Sequence, residues 1–358
     1  MKALAWFTAL FATALLLGCD AKPPAAAHTG ALDLSGVVLR VGAPNKIGNR
    51  PYLEAAGELK DLPYKVEWSE FGATPALLES LRSGHIDLGG NGGATAIIFE
   101  AGNGNGDGVK VVATGRPLDS AQEDGSAALL VRADSPYHSL ADLKGARISV
   151  MRGSGTQYLL GQVLEKVKLG FDDIQLLNLP NDAALAALVS GHIDAWGIWD
   201  PQLTALLRSR PDVRLLGWVG TRKDSYAIQY ASAQALADPK KAAAIQDFLQ
   251  RLARSTVWVG AHPNEWATLS AKLVRVDTEV MEDIARRTKL RYGLDPAQQG
   301  DLEAAFGREA DYWVKQRVIQ KRPDISALFD TRFNAAMQAA SRQASEQQEG
   351  VANRQTAN

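Results

Sequence analysis

The chain has a single cysteine, at position 19, so no disulfide can form within it. It has no surplus of positive charge either. Its 39 Lys and Arg against 40 Asp and Glu give a formal net charge of −1. With no long basic run, it lacks the electrostatic footprint of a nucleic-acid binder. Long apolar runs are missing beyond the N-terminus, so no membrane span is expected in the body of the chain. The patterns GxSxG, HExxH and GxxxxGK[ST] are also absent, and "RGSGTQ" is not GxGxxG. No catalytic constellation, cofactor motif or metal cluster emerges, which points away from an enzyme.

What is there begins with a leader. "MKALAWFTALFATALLLGCD" has one Lys, an apolar run from Ala3 to Leu17, then Gly18 and Cys19. Residues 1–18 read as a secretory signal. Leu16, Leu17, Gly18 and Cys19 look like a bacterial lipobox, in which the cysteine is lipidated and becomes the mature N-terminus. Periplasmic residence with an inner-membrane anchor follows as an expectation, Asp20 hinting at the inner membrane. Residues 19–36, Pro- and Ala-rich, read as the lipidated Cys and a tether. Residues 341–358 are rich in Gln, Glu, Ala and Asn and are expected to be a disordered tail or a fraying helix end.

Between these ends the pentapeptide SGHID occurs twice, at residues 83–87 and 190–194. Its flanks match as well. "VVLRVG", "NRPYLEAAGEL", "YKVEWSEF" and "TPALLESLR" precede the first copy. "ARISVM", "TQYLLGQVLEKV", "DIQLLNL" and "NDAALAALV" precede the second. Each set reads strand, helix, strand, helix, and SGHID leads into a further strand. Thr74 with Pro75, and Asn181 with Asp182, are the expected N-caps, while Gly84 supplies a left-handed helix end. His85 and His192 follow such glycines with nothing at metal-ligand spacing. The order predicts two α/β units with mostly parallel sheets, two lobes facing one cleft.

In open α/β sheets, ligands bind beyond the carboxyl ends of strands. That selects residues 42–49, 91–96 and 152–160, Arg116, and the turn at Asp200. Gly92, Gly93, Ala94 and Thr95 hand a strand to a helix with small residues, and so do Gly153, Ser154, Gly155 and Thr156. Backbone N–H groups at a helix start carry the positive dipole end and bind oxyanions. Lys46 and Arg116 would add positive charge. Trp196 and Trp199 suit a strand-to-helix turn, one ring in the core and the other against the ligand's apolar part. Asp200 either caps the helix "QLTALLRSR" or meets a cationic ligand group. "GNGNGDG" (102–108) starts like a calcium loop, but its twelfth position is Thr114, so a flexible loop is expected.

"VEWSEFGATPALLESLRSGHIDLGG", "SLADLKGARISVMRGSGTQYLL" and "DAWGIWDP" together resemble the solute-binding proteins of ABC importers for aliphatic sulfonates, taurine and similar oxyanions. The resemblance runs from about residue 37 to 333. It implies a two-lobed type II periplasmic-binding-protein fold, with residues 37–125 and 225–340 in lobe 1 and 126–224 in lobe 2. It implies a small anionic ligand, an alkanesulfonate first, held by Asn45, Lys46, Gly93 to Thr95 and Ser154 to Thr156. Tyr226 and Gln229 would look into the cleft. An ABC permease and its ATPase would be the partners of a monomeric protein, with no nucleic acid and no cofactor. "NGGATA" lacks the acidic residue and Pro-rich helix start associated with the best-known sulfonate binders, which leaves taurine, nitrate or a thiamine-pyrimidine precursor as alternative ligands. A cofactor-biosynthesis enzyme on the same fold fits poorly with the signal and Cys19, and nothing after Phe333 suggests a sensor's signalling domain.

Overall fold

A computed structural model describes residues 32–44, 48–118, 125, 127–220 and 226–356. The leader, Cys19 and the tether to residue 31 lie outside the described residues, as do Asn45 and Lys46.

The first repeat builds β1 (Val38–Pro44), α1 (Asn49–Ala55), β2 (Lys65–Phe71), α2 (Thr74–Arg82) and β3 (Leu88–Gly92), then α3 (Ala94–Gly102) and β4 (Val109–Pro117). The chain crosses to β5 (Ala127–Arg132), and the second repeat begins at the strand after it. There follow β6 (Arg147–Ser149), α4 (Gly155–Lys166), β7 (Gln175–Leu177), α5 (Asn181–Val189) and β8 (Ala195–Trp199), then α6 (Gln202–Ser209) and β9 (Val213–Trp218). It returns through β10 (Ala227–Ser232) to the helices α7 (Ala233–Ala237), α8 (Pro239–Ala261), α9 (Pro263–Val274) and α10 (Thr278–Arg287). The short strand β11 (Leu290–Tyr292), α11 (Pro296–Lys315) and α12 (Asn334–Thr356) complete it.

Two sheets result, ordered β11-β4-β10-β3-β1-β2 and β7-β6-β8-β5-β9. They are mixed, which corrects the expectation of mostly parallel sheets. The βαβ units pair β1 with β2 and β3, and β6 with β7 and β8, in parallel. The strands that carry the chain between lobes run the other way: β10 is antiparallel to β3 and β4, and β5 to β8 and β9. A βαβ crossover forces parallel pairing, whereas a strand arriving from the other lobe is under no such constraint.

Helix ends follow the local chemistry only in part. Gly84 and Gly191 take the left-handed conformation that a β-carbon disfavours, with φ of 73° and 76°. The N-caps, however, are Ala73 and Pro180, not Thr74 or Asn181, and neither is reinforced by a side chain. Pro75 still falls in the first turn of α2, where its missing N–H costs nothing.

Each sheet separates two apolar layers. Leu39, Val41, Phe248 and Trp266 pack on one side of the six-stranded sheet, and Leu77, Leu81, Ile97, Phe306 and Trp313 on the other. In the second lobe Trp196 joins Leu188 and Ile198, while Trp199 packs on the layer that holds Leu160 and Val163. Both tryptophans stand on β8 itself rather than in a turn, because an odd spacing places them on opposite faces of a straight strand. Residues 341–356 are not a disordered tail: they continue α12, which buries Met337, Ala340, Ser341 and Ala344. That spacing is one helical stripe, and its residues are too small to stand out in composition. Residues 106–108 of the glycine-rich loop form a short 3-10 turn, and no metal-ligand cluster occurs among the described residues.

Candidate functional site

Strand β3 ends in glycines and hands over to α3 with Gly93 at the N-cap, extended and with no side-chain cap. Its first-turn N–H groups therefore have no intrahelical acceptor and no capping oxygen. Strand β6 hands over to α4 through Gly153, in the left-handed region at φ 73°, and Ser154. The Ser154 hydroxyl accepts from the Gln157 N–H at 3.3 Å and donates to the Met151 carbonyl at 2.7 Å. The Gln157 side chain turns back to accept from the Gly153 N–H at 2.8 Å. Two helix starts are thus built by different means, and they meet. A β-carbon on Gly93 would lie 3.8 Å from the Gly155 nitrogen.

Around this meeting point is a cavity of about 760 Å3, walled by both lobes. It is lined by Gly93, Ala94, Thr95, Ser154, Gly155, Thr156, Trp199, Asp200 and Tyr226, and by Leu159, Val219 and Trp266 as apolar wall. Arg116 is not brought there; it stands on β4 opposite Arg291 of β11. Gln229 is fully buried behind the cleft. It accepts from Asn49 Nδ2 at 2.7 Å and donates to Asn49 Oδ1 at 3.0 Å and to the Tyr292 hydroxyl at 2.8 Å. It stiffens the floor rather than facing the ligand.

Asp200 is not the N-cap of α6, which is Pro201, but it braces the same turn. Its Oδ1 accepts from the backbone N–H of Thr204 at 3.2 Å and from its hydroxyl at 2.6 Å, in the first turn of α6. Its Oδ2 lies 3.7 Å from Arg287 of the other lobe, and that arginine also donates to the Thr204 hydroxyl at 2.9 Å. The cation that meets Asp200 in this structure belongs to the protein. Tyr158 of α4, which lines the cavity, lies 5.5 Å from Tyr312 of α11, and Phe171 stacks on Trp313 at 6.1 Å.

A buried acid of the cleft went unnoticed in the sequence. Glu309 of α11 lines the cavity although it is only 6% exposed. Its Oε1 accepts from the Thr95 hydroxyl and from the Trp313 indole N–H, the latter at 3.2 Å. Burial pushes its carboxyl up to about 7, against the pull of those two hydrogen bonds. Thr95 has one hydroxyl proton and gives it to Glu309, so toward the cleft this threonine offers its backbone N–H. The signal was present in the sequence: Leu302, Phe306, Glu309, Ala310 and Trp313 form a helical stripe with one acid in it.

Two lobes meet at this cleft, each bringing a helix start to one spot, the arrangement of a solute-binding fold. Residues 94–266 match the NMT1/THI5-like family. The chain is 30% identical to a protein named as an aliphatic sulfonates-binding protein in Escherichia coli (strain K12), over 73% of this chain and 78% of that one. The alkanesulfonate-binding protein SsuA from Xanthomonas axonopodis pv. citri, bound to MOPS, matches with a TM-score of 0.70 and 27% identity, over 83% of this chain and 99% of that one. The desulfurization enzyme DszB matches over 84% and 99% with a TM-score of 0.57, at 17% identity, which shows a shared fold alone. The chain belongs to the aliphatic sulfonate-binding family of solute-binding proteins, and its fold is that of the two-lobed periplasmic binding proteins.

Proposed function

We propose that this protein is the solute-binding component of an ABC importer, taking an aliphatic sulfonate into the interlobe cleft and delivering it to a membrane permease coupled to an ATPase. The observation that carries this reading is the meeting of Gly93 and Gly155, the starts of α3 and α4. A sulfonate spreads one negative charge over three oxygens and can accept from several N–H groups at once. The apolar wall of Trp199, Leu159 and Val219 suits an alkyl chain. Hinge closure of the lobes would bring the two helix starts onto the ligand together. The secretory signal and Cys19 support a periplasmic, lipid-anchored site of action, and the relatives above 25% identity support binding without chemistry.

Thermal unfolding against ethanesulfonate, longer alkanesulfonates, sulfate, nitrate and a thiamine precursor tests it. A ligand at about a hundred times its Kd stabilises a fold by roughly 2.7 kcal/mol. A shift produced by the sulfonates supports the proposal. A shift produced only by nitrate or the pyrimidine would leave the fold assignment intact and remove the substrate.

A further inference from the structure

Glu309 is a buried acid in the cleft that a simple anion does not explain. It is 6% exposed, lines the cavity, and touches the start of α3 through the Thr95 hydroxyl. Its Oε1 takes both of its hydrogen bonds. Its Oε2 has no protein partner among the described residues, and no cation there forms an ion pair with it. The other interior acid of the cleft, Asp200, is answered by Arg287. An unanswered buried carboxylate beside an anion site repels a ligand that is only an anion, since the interior screens charge poorly.

We propose that Glu309 determines the ligand class of this cleft: it selects an anion that also carries a hydrogen-bond donor, an ammonium or a hydroxyl, a few bonds from its oxyanion. The oxyanion sits at the starts of α3 and α4, and the donor turns to Glu309 Oε2. Thr95 and Trp313 hold Oε1 and so fix the carboxylate's plane. The inference rests on the sulfonate reading and narrows it from alkanesulfonates in general to amino- or hydroxy-substituted ones.

Calorimetric titration of the purified chain with taurine, 2-hydroxyethanesulfonate and ethanesulfonate at pH 8 tests this. These probes share a two-carbon sulfonate and differ in the donor. A hydrogen bond to a charged group predicts that the donor-bearing probes bind at least about tenfold more tightly than ethanesulfonate. In Glu309→Gln the amide oxygen can still accept from Thr95 and Trp313, while its NH2 now faces the cleft. The preference should collapse, with ethanesulfonate binding improved. Equal or tighter binding of ethanesulfonate by the wild type overturns the inference without need of the variant. An unchanged preference in Glu309→Gln also overturns it while leaving sulfonate binding intact. Failure of all three probes to bind overturns it, and the longer alkanesulfonates then decide the sulfonate reading separately.

Discussion

Asp87 holds Arg40 at three donors: its Oδ2 accepts from the backbone N–H at 2.9 Å and from Nε at 3.1 Å, and its Oδ1 from the terminal NH2 group at 2.8 Å. Asp194 holds Arg147 in the same way at 2.8, 3.0 and 2.8 Å, with the same spacing of 47 residues. This is what SGHID encodes. Ser83 and Ser190 back-bond their helix ends and reach His85 and His192 at 2.7 Å, the glycine turns the chain, and the aspartate locks the next strand to the first. The two histidines serve these turns.

The two copies differ in burial. Asp87 has a side chain 2% exposed and also accepts from Lys241 at 2.6 Å, whereas Asp194 is 19% exposed. Asp87→Ala should therefore cost about 3 kcal/mol, leaving two cations without their acid. Asp194→Ala should cost only about 1 kcal/mol, its arginine being open to water. Urea unfolding of both variants measures the gap, and equal losses would refute the argument from burial.

Asp87 also sets an acid limit. Burial alone would raise its carboxyl, but the bonds from Arg40 and Lys241 hold it below the usual range. A depressed folded value means that its stabilisation is present above about pH 3.8 and is lost as the pH falls through the folded value. Asp87→Asn should flatten the acid side of the stability curve.

Glu309 acts at the other end of the scale. Its folded value near 7 stands above its ordinary 4.5, so the folded state holds the proton more tightly. The stabilisation is full below pH 4.5 and is lost as the pH rises through 7, by up to roughly 3 kcal/mol. The melting temperature of the ligand-free protein should fall between pH 5 and 8, and Glu309→Gln should remove that slope.

Gly161 is where α4 passes α11 between the lobes. A β-carbon there would stand 2.0 Å from the Tyr312 hydroxyl. Gly161→Ala should hold the lobes apart and weaken ligand binding about tenfold, a cost near 1.4 kcal/mol. Adding Tyr312→Phe, which removes the hydroxyl, should restore most of it. Titration calorimetry on the single and double variants separates this from a general loss of stability.

Ser154→Ala removes the cap at the start of α4, in the loop proposed to meet the anion. A loss of about 1 kcal/mol is expected from the cap alone. Weaker sulfonate binding should accompany it, because Gly155 and Thr156 present their N–H groups from the turn that Ser154 holds. A normal affinity in a destabilised Ser154→Ala protein would show that this loop lies off the ligand.

What the sequence by itself determined is local. Periodicity, glycine at helix ends and the SGHID repeat specify the order of elements and the two helix starts, since those signals act over one turn or one strand. Tertiary structure alone decided the rest. Trp196 and Trp199 were readable as one core and one cleft ring, but their place on β8 depends on how far that strand runs before it bends. The reversed strands β5 and β10 depend on how the chain crosses between lobes, and α12 depends on the surface of α8 that its alanines fit. Glu309 and Thr95 lie 214 residues apart, and no spacing rule connects them. Their contact exists because α11 packs across the start of α3, and the burial that raises the Glu309 carboxyl is a property of that packing alone.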